Sequence, residues 1–239
     1  MTPSVTETLF ALGLGPRVVG VSQYCDYPPE AVDLPRVGTF LAPVVEAVAA
    51  LEPDVILTSP SPGNQEPVSA MMRAGLRVVA VTEGSESLAG VLESIRAVAR
   101  AVDAEAAAIP LTARIHTALA EVESRARDRS RPSVAVVVGF DPLVLAGPAS
   151  YLGELVERAG GANVATRVGG KWPRVGLELL VASAPEVIVD LTMGSERSAD
   201  AERWGRFADL PAVRNRRVYF DDSQVFLRPG PRLGEQAER

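Results

Sequence analysis

The residues of this chain whose types and spacing could do chemistry are a few aromatic rings and two carboxylates. Phe, Trp and Tyr make up only 5% of its 239 residues. Yet Tyr24, Tyr27, Phe40 and Trp172 fall in or beside proline- and glycine-bearing stretches, away from apolar strand cores. Rings on stiff loops offer a large contact area with few torsions to freeze, which suits stacking on a broad, partly apolar ligand. For Tyr27, ahead of Pro28-Pro29, local packing explains the ring equally well. For Phe40 and Trp172 the ligand is the better explanation, because they correspond across an internal repeat.

The repeat emerges when TFLAPVVEAVAALEPDVILT (39–58) is laid over KWPRVGLELLVASAPEVIVD (171–190). Phe40 answers Trp172, Glu46 answers Glu178, Pro53 answers Pro185, Asp54 answers Glu186, and Val55-Ile56 answer Val187-Ile188, at one constant offset without a gap. Each glutamate lies six residues beyond its aromatic, early in a helical pattern, where a carboxylate gains from the positive end of the helix dipole. Beyond that local benefit, two acids at equivalent places on two similar lobes suit docking on a symmetric cationic partner, with charge setting encounter and register. A catalytic carboxylate pair is the competing use, and equivalence across the repeat favours docking.

Other catalytic constellations are scarce. The single His116 falls mid-helix in RIHTAL, one step off the apolar stripe, which is the pattern of a structural residue rather than of a catalytic or zinc-binding imidazole. No G-x-S-x-G turn, G-x-x-x-x-G-K-S/T loop or C-x-x-C occurs, and the short glycine triplets GLG and VGG are not a dinucleotide fingerprint. Cys25 is the only cysteine, which excludes an internal disulfide and any multi-cysteine metal site; a small residue filling a loop is its expected role. With a formal net charge of −6 and one basic run, RARDRSR, interrupted by an aspartate, the chain is a poor partner for nucleic acid. That run reads as a solvated helix end with cations near the C-terminus.

The elements that must position these residues alternate between helix and strand. SVTETLFALGLG reads as a helix opened by a Ser4-x-x-Glu7 capping box and stopped at Gly13, and RVVGVS as a short buried strand. QYCDYPPEAVDLPRVGTF, with Pro28, Pro29 and Pro35, is an ordered loop. APVVEAVAALEPDVILTSP and NQEPVSAMMRAGLRVVAV each give helix then strand, so a parallel sheet flanked by helices is expected. From Ser85 to about Arg129 strand signal is almost absent. Asp103 is placed to cap a long helix with Leu111, Ile115, Leu119 and Val122 on one face and a kink at Pro110. About 24 helical residues reach roughly 36 Å, enough to connect two small lobes. PSVAVVVGF restarts the strands, SYLGELVERAGGANV is a helix with a Gly-Gly stop, RRVYFDD is a strand and RPGPRLGEQAER opens a helix. The division expected is an N-terminal lobe over 1–84, a helical segment with the connector over 85–130, and a C-terminal lobe over 131–239. With 47% hydrophobic and 23% charged residues, both lobes can bury a core without staples. No apolar run approaches the roughly 20 residues of a membrane span, and Met1-Thr2-Pro3 lacks the pattern of a signal peptide.

PSVTETLFALGLGPRVVGVSQYCDYPPEA, VGTFLAPVVEAVAALEPDVILTS, AGGANV, KWPRVGLELLVASAPEVIV and RPGPRL together resemble the cobalamin-binding periplasmic proteins of ABC importers, within the wider group that binds haem and iron-siderophores. The resemblance runs in order along nearly the whole chain. It implies two Rossmann-like α/β lobes joined by a single long backbone helix, with the ligand cleft between the lobes. It further implies that Tyr24, Phe40 and Trp172 line a corrinoid cleft, that Gly147 lets backbone approach the ligand, and that Arg228 contacts the ligand's polar periphery. Glu46 and Glu178 would meet arginines on the permease. Three positions depart from the cobalamin-binding pattern: Phe40 stands for a tryptophan, Val144 for a phenylalanine and Gln224 for an aspartate. The resemblance also places a strand, and before it a signal or lipid anchor, ahead of PSVTE, so an exported monomer in the periplasm or anchored outside the cytoplasmic membrane is implied. The expectation is therefore a corrinoid-binding, non-enzymatic transport protein with no catalytic cofactor. The alternatives are haem, a siderophore or another metal chelate on the same fold, and, from a different class, an enzyme or metal chaperone.

Overall fold

The computed structural model describes residues 2–192, 202–221 and 224–239. Its backbone separates into two compact units: unit 1 takes the chain up to Gly84 with Ala89–His116 and Arg228–Arg232, and unit 2 takes Ser85–Leu88, Thr117–Leu227 and Leu233–Arg239. The helical stretch 85–130 is thus shared between the two.

In unit 1, α1 (Pro3–Ala11) carries its proline at the first helical position, where the missing N–H has no partner to lose, and the chain turns away at Gly13 with φ 79°. The expected strand RVVGVS does not form. Gly15–Arg17 is a 3-10 turn, and Val21 then makes a single parallel bridge to Arg36. The physical reason is the partner segment, which begins after Pro35 and turns off at Gly38 with φ 91°. After α2 (Val45–Ala49), β1 (Ile56–Thr58), α3 (Gln65–Arg73) and β2 (Val78–Ala80), the two strands pair in parallel with Ile56 opposite Val78. Val37, Val48, Ile56 and Met71 form the core beneath them.

α4 (Leu88–Ala101) leads to α5 (Glu105–Ala126), which belongs to unit 1 through His116 and to unit 2 from Thr117. Leu111, Ile115, Leu119 and Val122 are all buried along α5, as their spacing predicts, and His116 is exposed. Asp103 does not cap this helix. It occupies the turn two residues before Glu105 with φ 54°, a left-handed position that aspartate tolerates better than most residues.

Unit 2 is built on β3 (Ser133–Phe140), β4 (Leu143–Leu145), β5 (Ala162–Asn163), β6 (Val187–Asp190) and β7 (Val218–Phe220). The order is β4-β3-β6-β7 with β5 also on β3; β4 is antiparallel to β3 and the other pairs are parallel. Asp222, expected at the end of β7, lies outside the described residues. α6 (Tyr151–Arg158) is capped by Ser150, whose Oγ accepts from Gly153 N at 3.1 Å. The remaining helices are α7 (Leu177–Ser183), α8 (202–205), α9 (Pro211–Arg214) and α10 (Leu233–Glu238). Ala135, Val137, Leu180, Ile188 and Trp204 lie at the centre of the core.

The sequence repeat is a backbone repeat. Gly38 and Gly170 are both left-handed (φ 91° and 78°), and so are Glu52 and Ala184 (φ 45° and 41°). Each of the latter two precedes a proline, which disfavours right-handed helical backbone; Ala184 is the C-cap of α7, and Glu52 follows the end of α2 at Ala49. Both helices place their glutamate at the second helical residue.

Candidate functional site

Tyr24 and Tyr27 stand in a loop without regular structure and are 56% and 41% exposed, a large apolar display for a chain with few aromatics. The loop is tied down from beneath. Cys25 is buried, with Thr6 Oγ1 donating to its Sγ at 3.2 Å and Ser22 Oγ at the same distance. Arg36 donates to the carbonyls of Ser22, Cys25 and Val32. Arg228 Nη1 donates to Glu7 Oε1 at 3.1 Å and to Asp26 Oδ1, and its Nη2 donates to Tyr24 O at 3.3 Å. Arg232 holds Glu7 with both arms of its fork, Nε to Oε2 at 2.8 Å and Nη2 to Oε1 at 2.7 Å, while its guanidinium lies 4.0 Å from the centre of the Tyr27 ring.

Glu7 is therefore not half of a capping box. The N-cap of α1 is Thr2, without a side-chain bond; Ser4, inside the helix, donates to Glu83 Oε1 at 2.9 Å, and Glu7 turns inward to the two arginines. A buried carboxylate with two cations in reach gains more there than on a solvated N–H. Arg228, expected at a ligand's edge, has only 8% of its side chain exposed and is occupied by Glu7, Asp26 and the Tyr24 carbonyl. The hydrogen bond from Arg228 holds the Asp26 carboxyl below its ordinary range; burial opposes this, and the charges of Arg228 and Arg232 reinforce it. For Arg228 itself burial pulls downward, but the bonds and charges of Asp26 and Glu7 win and raise it above the ordinary arginine value.

Phe40 is half-buried on the loop between Gly38 and Pro43, which close on each other in an antiparallel bridge. Asn64, 1% exposed, donates to the carbonyls of Phe40 (3.2 Å) and Ser59 (2.8 Å) and accepts from Ser61 N (3.0 Å), clamping the loop from below. In unit 2, Trp172 is 36% exposed and rests edge-on against Tyr151, ring centres 6.4 Å apart. Its loop runs antiparallel along β4: Gly147 N donates to Lys171 O (2.9 Å), Leu145 N to Pro173 O (3.1 Å) and Val175 N to Leu143 O (3.0 Å). Gly147 is buried, and a Cβ there would collide with Gly170 O and Pro173 Cδ. Its missing side chain thus makes room for the Trp172 loop. Val144, beside it, bridges Arg174.

Glu46 and Glu178 are both exposed in the first turns of α2 and α7. Apolar side chains flank them: Leu41 and Val44 in unit 1, Leu177 and Val181 in unit 2, all at least 38% exposed. Gln224, exposed, adopts φ 54°. Two cavities of about 170 and 540 Å³ lie inside units 1 and 2 respectively, and neither is lined by Tyr24, Phe40 or Trp172. Among the described residues no cluster of three or more His, Cys, Asp or Glu side chains could hold a metal ion, and no helix is long and apolar enough to cross a membrane. Sequence reasoning missed Arg36, Asn64 and Arg232 and gave Glu7 a different role, in a capping box. The RPGPR arginines stand out locally, but nothing local shows their pairing, because their partner Glu7 lies more than two hundred residues away in the chain.

Residues 1–225 match the family model described as periplasmic binding protein. The uncharacterized ABC transporter substrate-binding lipoprotein YvrC of Bacillus subtilis is 31% identical over 244 residues, spanning all of this chain and 76% of its own length. The vitamin B12-binding protein of Salmonella choleraesuis is 28% identical over 235 residues, 98% of this chain and 84% of the relative. Among solved structures, the apo periplasmic heme-binding protein RhuT from Roseiflexus sp. RS-1 superposes with a TM-score of 0.86 at 28% identity, covering 99% of this chain and 92% of that one.

Proposed function

Because this chain belongs to the periplasmic binding protein family, whose members bind solutes and are not enzymes, we propose that it captures a corrinoid and delivers it to the permease of an ABC importer. The observation that carries the proposal is the pair of aromatic loops. Phe40 and Trp172 stand at equivalent places of two repeated segments, the first loop held by the Asn64 amide and the second by backbone bonds to β4 and Gly147, and each is followed by a helix with an exposed glutamate. Tyr24, Phe40 and Trp172 supply the stacking surface. Gly147 and Arg228 act from beneath, Gly147 by admitting the Trp172 loop and Arg228 by holding the Tyr24 backbone. Glu46 and Glu178 meet cationic sites on the permease. The role is exercised outside the cytoplasmic membrane, in the periplasm or on a membrane anchor. Similarity to the Salmonella B12 binder supports the corrinoid.

Haem is the second reading, favoured by the similarity to a heme-binding structure and by Tyr24, an exposed phenol of the kind that can ligate haem iron. Isothermal titration with cyanocobalamin and with haemin separates the two. One-to-one cobalamin binding that Trp172→Ala weakens at least about tenfold, the loss of roughly 1.4 kcal/mol of stacking, supports the corrinoid. No heat with cobalamin, together with a shifted haem absorbance band on adding haemin, would transfer the proposal to haem.

A further inference from the structure

The loop that carries Trp172 also carries two cations, and the backbone separates them. The loop bends at Lys171 and Trp172 and makes a single antiparallel bridge at Arg174, with further backbone bonds to 143–147 at Lys171, Pro173 and Val175; exposure alternates along it, Trp172 and Arg174 being exposed and Lys171, Pro173 and Val175 only partly so. Trp172 and Arg174 are therefore the two exposed side chains of this run, and Lys171 is turned to Glu86 instead, its Nζ 3.8 Å from Glu86 Oε2. Arg174 has no ion-pair partner among the described residues. What sets Arg174 apart from the chain's other arginines is its place in the sequence, two residues from the exposed indole of Trp172 on the same loop.

We infer that Arg174 reads an anionic group on the periphery of the ring-shaped ligand that stacks on Trp172. The inference rests on the proposed assignment of Trp172 to the ligand surface. A planar fork of donors suits a phosphate diester or a carboxylate, which it can grip with two parallel hydrogen bonds, and a neighbouring aromatic face partly excludes water and strengthens that contact. The backbone bonds to 143–147 hold the guanidinium's backbone at a set distance from the indole, so the pair selects ligands that carry apolar face and anion together. Arg174 is thereby a specificity residue. Lys171, already facing Glu86, is not.

The test compares two ligand pairs that differ in the anion: cyanocobalamin against dicyanocobinamide, which lacks the phosphate-bearing tail, and haemin against its dimethyl ester. In whichever pair binds, the wild-type protein prefers the anionic member. Arg174→Gln reduces that preference about tenfold, as expected for one charge-assisted contact. Arg174→Lys keeps part of it, and Lys171→Gln leaves it within about twofold. Emission from buried Trp204 checks that each variant is folded. If Arg174→Gln weakens both members of a pair equally, leaves the preference unchanged, or is matched by Lys171→Gln, the inference is overturned; it is also overturned if neither pair binds or the wild type shows no preference. Haemin binding with an Arg174-dependent preference, and no cobalamin binding, sustains the inference and removes only the corrinoid reading.

Discussion

Glu7 accepts three hydrogen bonds from Arg228 and Arg232 at a position where only 1% of its side chain meets solvent. Removing its charge leaves two guanidinium groups largely buried with Asp26 as the nearest compensation. Breaking such a buried pair costs far more than its net worth when intact, so Glu7→Gln is expected to destabilise unit 1 by roughly 3 kcal/mol in chemical denaturation. A loss under about 1 kcal/mol would show that Asp26 and water replace it. Asp26 gives the cluster its acid sensitivity. Its folded-state value is depressed, so its contribution is complete above about pH 4 and disappears as pH falls through the folded-state value. Arg228 is shifted the other way, upward, and its contribution stays complete at every pH below the ordinary arginine value. Thermal melts of Asp26→Asn should therefore lie below wild type at neutral pH and converge with it toward pH 2; a constant gap would mean that shape, not charge, matters at this position. None of this was legible in sequence. Ser4 and Glu7 carry the spacing of a capping box, and nothing local announces cations at the far end of the chain.

At the scale of elements, the helix-to-strand joints reward comparison. Glu52 and Ala184, each just before a proline that bars right-handed helix, are left-handed, a conformation that costs a residue with a Cβ about 1 kcal/mol or more. Ala184 is exposed and its N–H caps α7 by donating to Val181 O at 3.1 Å, so glycine fits without other change. Ala184→Gly is expected to stabilise unit 2 by roughly 0.5 kcal/mol, the strain relieved less the entropy glycine loses on folding. Gly147 demands the opposite treatment. Alanine there collides with Gly170 O and Pro173, so Gly147→Ala should destabilise by about 1–3 kcal/mol and shift the emission of Trp172 as its loop is pushed off β4. The repeat made these equivalences visible in the sequence, helix for helix and proline for proline. The failed strand RVVGVS shows the limit: apolar content promises burial, and Val21 is buried, but a strand also needs a partner of matching length, which Pro35 and Gly38 deny it.

For the whole molecule, the function proposed separates capture from delivery. In that proposal the aromatic loops serve the first and the two exposed glutamates the second, and no residue belongs to both. Glu46→Lys combined with Glu178→Lys should leave ligand affinity within about twofold while abolishing stimulation of the transporter's ATPase, because reversing two charges turns attraction to a cationic site into repulsion. Stimulation by the wild-type protein should also weaken as salt rises from 0.05 to 0.5 M, which shortens the distance over which the charges act about threefold. Equal loss of ligand affinity would assign the glutamates to the ligand instead.

The sequence by itself determined the α/β alternation, the long buried stripe of α5, the repeat and the loop placement of Tyr24, Phe40 and Trp172, because each rests on residues close together in the chain: periodicity, prolines and glycines act within a few positions. Only the tertiary structure decided that Glu7 faces Arg228 and Arg232, that Asn64 clamps Phe40, and that Gly147 is spaced for a neighbouring loop. Those facts depend on segments that are distant in sequence and meet only when hydrophobic burial and strand pairing have brought them together, and a contact of that kind leaves no trace in either segment read alone.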